Sequence, residues 1–249
     1  MLSPDINIRQ GVIFAGLTFR GYSLEAIRIA MDNPKFIVTV NADFIVRAHE
    51  DSKFKELICR NLSTFDGQVP YLLARLKNHD RGEEINKLSG SDLIYTLLCE
   101  AAAMGKVSFL LGASPEANVR AVRASQALYG GVVEGYSPPL ADEPLPSTWT
   151  VDVLSRICKA RPAYLFVALG APKQEHWIAQ NLTALRNAGV EVVMGCGGSI
   201  DFLSGSIRRA PRWIQAIGME GVYRFIIEPK LFRFHRILRS FRVFLYVFK

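Results

Sequence analysis

A chain of 249 residues that is 49% hydrophobic and 21% charged is long and apolar enough to bury a full core, which excludes a disordered chain. No apolar run reaches the roughly 18 residues that span a bilayer, and the first ten residues lack the basic and apolar blocks of a secretion signal, so a cytoplasmic body is expected. The net charge of +7 is uneven: residues 206–249 hold ten Lys/Arg against two Asp/Glu, while residues 1–205 hold 20 against 21, so an anionic partner is expected for the tail alone.

In chain order, residues 11–17 read as a short strand, and Ser23-Leu24-Glu25 opens a helix to about Met31. Residues 36–40 (FIVTV) are apolar and largely β-branched, which places Thr39 and Asn41 at a strand end. A helix follows from Ala42 with Phe44, Ile45 and Ala48 on one face. Asp66-Gly67 is a turn signal, and on spacing alone Asp66 need be no more than a turn former. Residues 78–91 are polar and read as a flexible loop. Ser91 or Asp92 then caps a helix in which Leu93, Ile94, Leu97, Leu98 and Ala101 recur at helical spacing. Residues 107–111 form a buried strand that ends in Gly112-Ala113-Ser114-Pro115. A helix to about Leu128, a short strand at 130–136 and a proline-rich loop at 137–146 follow.

Residues 164–201 carry the strongest pattern. Two apolar runs, 164–169 and 190–194, flank a helix whose stripe is Trp177, Ile178, Asn181, Leu182 and Leu185, which makes a βαβ crossover. Both of its turns are expected at the carboxyl edge of a mainly parallel sheet with helices on both faces, where open α/β sheets bind ligands. At the first turn, Gly170 precedes Pro172, which suits the start of a helix and leaves the amides of Lys173 and Gln174 for an anion. At the second, Gly195, Gly197 and Gly198 allow close approach of the backbone to a ligand. The turn at 112–115 is a second candidate of the first kind. Neither a GxGxxG nor a GxxxxGK(S/T) fingerprint is present, so a phosphate site and two ordinary tight turns both stay open, and a dinucleotide-dependent oxidoreductase or a methyltransferase is disfavoured. Cys59, Cys99, Cys158 and Cys196 form no CxxC pair and the four histidines are scattered, so no metal site is expected and buried free thiols are.

The tail changes character. Phe234, Ile237, Leu238, Phe241, Leu245 and Phe248 share one helical face, and Arg233, Arg236, Arg239 and Arg242 spread over the other side. Basic residues opposite an aromatic face describe an interfacial helix whose arginines meet anionic lipid headgroups. The alternative is a helix docked on the body, which would expose Phe232, Phe244 and Tyr246. Nucleic acid is not expected, since a phosphate-binding helix has no need of so many phenylalanines.

TVNADF at 39–44, FDG at 65–67, LSGSDL at 88–93, GAPKQE at 170–175, GCGGSIDFLSG at 195–205 and RRAPRW at 208–213 together resemble the WecG/TagA/CpsF glycosyltransferases, glycosyltransferase family 26. The resemblance runs nearly end to end. It implies a Rossmann-like α/β body, residues 1–205, and a C-terminal appendage, residues 206–249, that completes the site at the inner face of a bacterial cell membrane. It implies an inverting, metal-independent transfer, with no cofactor, from a UDP-sugar to a polyprenyl-diphosphate-linked saccharide in surface polysaccharide synthesis. A homo-oligomer is left open, and a catalytically silent membrane adaptor is the alternative.

By the same resemblance Asp66 is the catalytic base, Thr39, Asn41 and Gln174 hold sugar and phosphates, and Asp201 faces the nucleoside. Gly170, Lys173, Gly195, Gly197, Lys87, Arg224, Lys230 and Arg233 are the remaining substrate-binding positions. The family usually has arginine where Lys87 stands. In the tail its arginine pattern maps cleanly onto Arg224, and less cleanly onto Lys230, Arg233 and Arg236.

Overall fold

The computed structural model describes residues 11–79, 84–229 and 231–247. The first elements among the described residues are β1 (Val12–Phe14) and β2 (Leu17–Phe19), paired antiparallel, so the single strand expected at 11–17 is a hairpin. Ala15 and Gly16 both take positive φ, 47° and 66°, giving the two-residue turn that matches strand twist. Helix α1 (Leu24–Ile29) is capped by Ser23 as expected. Then come β3 (Lys35–Val40), α2 (Ala42–Glu50), α3 (Ser52–Arg60), β4 (Leu62–Phe65), α4 (Gln68–Lys77) and α5 (Gly90–Ala103). Asp51 accepts from the amides of Lys53 and Phe54 to start α3, a cap the sequence reading passed over. The cap of α5 is Ser89 rather than Ser91 or Asp92, since its hydroxyl accepts from Asp92 N–H at 3.3 Å.

The second half runs β5 (Ser108–Gly112), α6 (Pro115–Tyr129), β6 (Val133–Tyr136), α7 (Ser147–Ala160), β7 (Tyr164–Ala168), α8 (Lys173–Asn187), β8 (Val192–Gly195) and α9 (Ser199–Leu203). The tail adds α10 (Arg212–Ala216), α11 (Glu220–Ile227), α12 (Leu231–Phe241) and α13 (Phe244–Val247). Among the described residues six strands form one parallel sheet in the order β4-β3-β8-β7-β5-β6. One core lies between the sheet and α2, α3, α7 and α8; the other lies under α5, α6 and α9. Burial on both faces is why β3, β5 and β7 are almost continuously apolar. Of the four free thiols only Cys196 is buried; Cys99 and Cys158 are exposed, because each lies on the water-facing side of an amphipathic helix.

This topology places the functional edge. From β3 the chain leaves into α2 on one face, and from the adjacent β8 it leaves into α9 on the other, which opens a crevice at their carboxyl ends. The hairpin braces the neighbouring β4: Phe19 stacks on Phe65 at 4.0 Å and Phe14 meets it edge-on at 5.9 Å. Phe65 is fully buried, and the next residue is Asp66.

The tail's polarity is inverted relative to the expected interfacial helix. Arg239 and Arg236 reach the buried carboxylate of Asp43 on α2 at 3.3 and 3.7 Å, and Arg242 reaches Glu50 at 2.5 Å. These arginines therefore face the body, not lipid headgroups. Leu231, Phe234, Leu238, Phe241 and Leu245 are exposed. Tyr246 stacks on His49 at 4.0 Å, and Val243 and Val247 are buried in the α2-side core. Phe248 of the expected stripe lies outside the described residues. Among the described residues no helix is long and apolar enough to cross a membrane.

Candidate active site

Four strand ends converge on the crevice. Asp66 follows β4, and its amide donates to the Val40 carbonyl of β3 at 3.0 Å, while Gly67 takes φ 94° to turn the chain into α4. The turn-former reading therefore describes the backbone, and the half-buried carboxylate is left for chemistry. Burial and then the Glu220 carboxylate of α11 push its pKa up to about 7, with Asp92 adding to the rise against the pull of Arg236 and Lys87. A carboxyl poised near neutrality is a competent general base. Lys87 is held beside it because residues 87 and 88 run along the end of β4, Leu88 N–H donating to Phe65 O at 2.9 Å.

Thr39 and Asn41, at the end of β3, are largely spent on the scaffold. The Asn41 Oδ1 accepts from Phe44 N–H at 3.2 Å to cap α2, and the buried Thr39 hydroxyl reaches the Gly195 carbonyl at 3.5 Å. The turn after β8 is built by close approach. A Cβ on Gly195 would lie 2.5 Å from Glu175 Oε1 and 2.8 Å from Gln174 Nε2, and one on Gly198 would lie 2.6 Å from the Arg224 guanidinium. Gln174 Nε2 donates to Glu175 Oε1 at 2.7 Å, and Gln174 Oε1 accepts from Gly197 N–H at 3.2 Å.

The tail supplies the cations. Arg224 of α11 lies over the Phe202 ring at 4.7 Å and against the glycine turn, partly buried. Its pKa is lowered, chiefly by that burial and then by Arg233, while Asp201 and Glu220 oppose the shift. Arg233 is paired with Glu228. Arg209 ties the tail to α5 through Asp92 and lies 3.8 Å from Glu220. One wall of the crevice is thus carboxylate and glycine backbone from the sheet edge, and the other is guanidinium from α11 and α12.

A family model described as glycosyl transferase, WecG/TagA/CpsF family, matches residues 8–249. The chain belongs to that family. It is 30% identical over 224 residues to a Staphylococcus aureus (strain MRSA252) protein, covering 86% of this chain and 79% of that one. It is 31% identical over 204 residues to a Bacillus subtilis (strain 168) protein, covering 81% and 74%. Both relatives are named N-acetylglucosaminyldiphosphoundecaprenol N-acetyl-β-D-mannosaminyltransferase.

Against this glycosyltransferase frame, the positions chosen from sequence separate into groups. Asp66, Lys87, Thr39, Asn41, Gln174, Gly195, Gly197 and Arg224 meet around the crevice, and Asp201 lies near Arg224. Gly170, with φ 83°, turns the chain after β7. One expectation at that turn is corrected. The Gln174 amide is not open to an anion, because the helical pattern starts a turn early and it donates to Gly170 O at 2.9 Å. Lys173 extends its ammonium to the Ala141 carbonyl, 2.8 Å away in the proline-rich loop. At the other candidate turn, Ser114 caps Ala117 N–H with its own hydroxyl. Lys230 lies outside the described residues.

Sequence reasoning missed Glu175, Asp43, Asp92, Arg209 and Glu220. An acidic residue in an otherwise apolar or motif setting was the available signal at Asp43 and Glu175, both of them buried. Among the described residues no group of three or more His, Cys, Asp or Glu is arranged to hold a metal ion.

Proposed function

We propose that this glycosyltransferase moves a sugar from a UDP-sugar to a polyprenyl-diphosphate-linked saccharide, with inversion and without a metal. The observation that carries the reading is the pairing of the half-buried Asp66, its pKa near 7, with a wall of arginines across the crevice. Asp66 takes the proton of the acceptor hydroxyl as its oxygen bonds to the anomeric carbon and the UDP oxygen departs from the opposite side. Arg224, with Arg233 and Arg236 behind it, offsets the charge that develops on the leaving diphosphate. The glycine turn at 195–198 lets that diphosphate approach backbone, and Asp201 faces the nucleoside.

The relatives' names support an acceptor of the N-acetylglucosaminyl-diphospholipid kind and an N-acetylhexosaminyl donor. A lipid-linked acceptor also gives the outward apolar face of α12 a purpose: residues 206–249 would act as an appendage that lays the crevice against the inner face of the membrane. The test is a turnover assay with UDP-N-acetylhexosamines and an N-acetylglucosaminyl-diphosphopolyprenol. Asp66→Asn should lower transfer by roughly 100-fold or more with UDP affinity little changed. Near-normal turnover by that variant would assign the base elsewhere.

A further inference from the structure

Glu175 is fully buried at the first turn of α8, and its Oε2 has no hydrogen-bond partner among the described residues. Its Oε1 serves Gln174. The Gly197 N–H can only donate, so it takes the Oε1 end of the Gln174 amide at 3.2 Å, and the Nε2 end must then find an acceptor; Glu175 Oε1 is that acceptor at 2.7 Å. The glycine turn is pressed onto this pair from one side, leaving no room for a Cβ at Gly195, and pressed by Arg224 at Gly198. We propose that Glu175 is a positioning residue: it fixes which way the Gln174 amide points, and Gln174 in turn holds the 195–198 turn in the shape that receives the donor diphosphate. This rests on the reading of that turn as the donor site.

The surroundings of Glu175 say in which form it acts. Burial pushes its pKa up to about 8, and the opposing pull of Gln174, of its own backbone, of Arg236 from α12 and of Arg47 from α2 does not overcome it. Cys196, within the same turn, has its thiol pushed up by burial and stays neutral. At neutral pH Glu175 is therefore a neutral acid that accepts one hydrogen bond, and glutamine is its isostere.

Full-length protein is examined by calorimetric titration with UDP and by thermal melting from pH 5 to pH 8. Glu175→Gln should bind UDP within about 3-fold of wild type, whereas Glu175→Leu, which offers no acceptor, should weaken binding by about 10-fold or more. In a Gln174→Ala background, Glu175→Leu should change affinity by less than about 2-fold, since the residue it acts through is gone. The sign of the melting effect follows from proton linkage. A folded-state pKa above the unfolded one makes wild type lose stability as pH rises through the window between them, and glutamine does not titrate. The advantage of Glu175→Gln in melting midpoint should therefore grow between about pH 5 and 8.

Independent, multiplying losses from Glu175→Leu and Gln174→Ala would overturn the proposal. So would a Glu175→Gln variant that fails like the leucine variant, or a midpoint gap that does not widen with pH. A wild-type chain that does not bind UDP would sink the donor reading separately, and the melting series would still decide whether Glu175 acts as a neutral acid. If Glu175→Leu does not fold, Gln174→Ala takes its place in the binding arm, and UDP affinity unchanged by that variant would overturn the proposal.

Discussion

Helices α8 and α12 are both amphipathic and are turned in opposite directions. In α8 the apolar Trp177, Ile178 and Leu185 are buried in the core. In α12 Arg236 and Arg239 face the body through Asp43, while Leu231, Phe234, Leu238 and Phe241 are exposed. An outward apolar face is not what burial in water favours. Burying a large apolar side chain contributes about 1.5–3 kcal/mol, which the outward face of α12 forgoes, whereas Arg236 and Arg239 serve a buried carboxylate, and breaking a buried pair costs about 3–5 kcal/mol. The orientation of α12 is accounted for if the outer face meets lipid and the inner cations are needed in the crevice, which is the proposed role of the appendage. On that proposal α8 obeys the energetics of the fold and α12 those of the function.

The comparison is broken most severely by cutting the chain after Gly205. Transfer should be lost with Arg224, Arg233 and Arg236. The cut also removes Val243 and Val247 from the α2-side core, so the remaining body should melt on the order of 10 °C lower. A truncated chain with undiminished transfer to the lipid acceptor would take the tail out of the mechanism. One with an unchanged midpoint would show that the two valines contribute nothing to the body.

A milder break is Asp43→Asn. Asp43 is 2% exposed and holds Arg47 at 2.8 Å as well as the two α12 arginines. Neutralising it leaves three guanidinium groups around an amide, so α12 should loosen and be cleaved faster by trypsin. Transfer should fall about 10-fold with donor affinity less affected, because Arg236 loses its anchor. Unchanged proteolysis would mean that the buried valines alone hold the tail.

Much of the frame was legible beforehand, for reasons that differ by residue. The parallel sheet followed from apolar runs such as 164–168, which only two-sided burial explains, and the βαβ unit from the stripe of α8. The hairpin was missed because Ala15-Gly16 is a poor match to the Asn-Gly or Asp-Gly signal, and α7 because a proline-rich loop hides its start at Ser147. At the site, the βαβ pattern placed the glycine turn at the ligand edge, whereas Asp66 came from motif resemblance, since spacing alone left it a turn former. The inward direction of the α12 arginines was not legible at all. Periodicity separates the two faces of a helix but does not say which one meets the body; that depends on Asp43 and Glu50, nearly 200 residues away in sequence.

The outer face is sharpened by Leu238→Asp with Phe241→Asp. Both side chains are exposed, so the fold and UDP affinity should survive. Affinity for vesicles of phosphatidylglycerol and phosphatidylcholine should drop by roughly 10-fold. Because Arg236, Arg239 and Arg242 are engaged with the body, wild-type vesicle binding should depend on salt less steeply than four free arginines would require. Binding unaffected by the two aspartates would move the lipid contact off α12.

The smallest effect is one of stability, and it tests whether Asp66 is a strained base or a settled ion-pair partner. Its folded pKa of about 7 lies above the ordinary 3.8, so between those values the folded chain keeps a proton that the unfolded chain has released. Stability therefore falls as pH rises from about 4 to about 7 and stays lowered above that, whereas asparagine does not titrate. Asp66→Asn should melt higher than wild type at pH 8, by roughly 5 °C or less given the partial exposure of the carboxylate, and the gap should close towards pH 4. The same titration should appear in wild-type kcat/KM as a rise with pH through about 7, since only the ionised carboxylate can take the acceptor's proton. If the asparagine variant instead melts lower at pH 8, the attraction of Arg236 and Lys87 outweighs burial. The Asp66 carboxylate would then be ionised well below pH 7, and the rising limb of the rate profile would shift to acid with it.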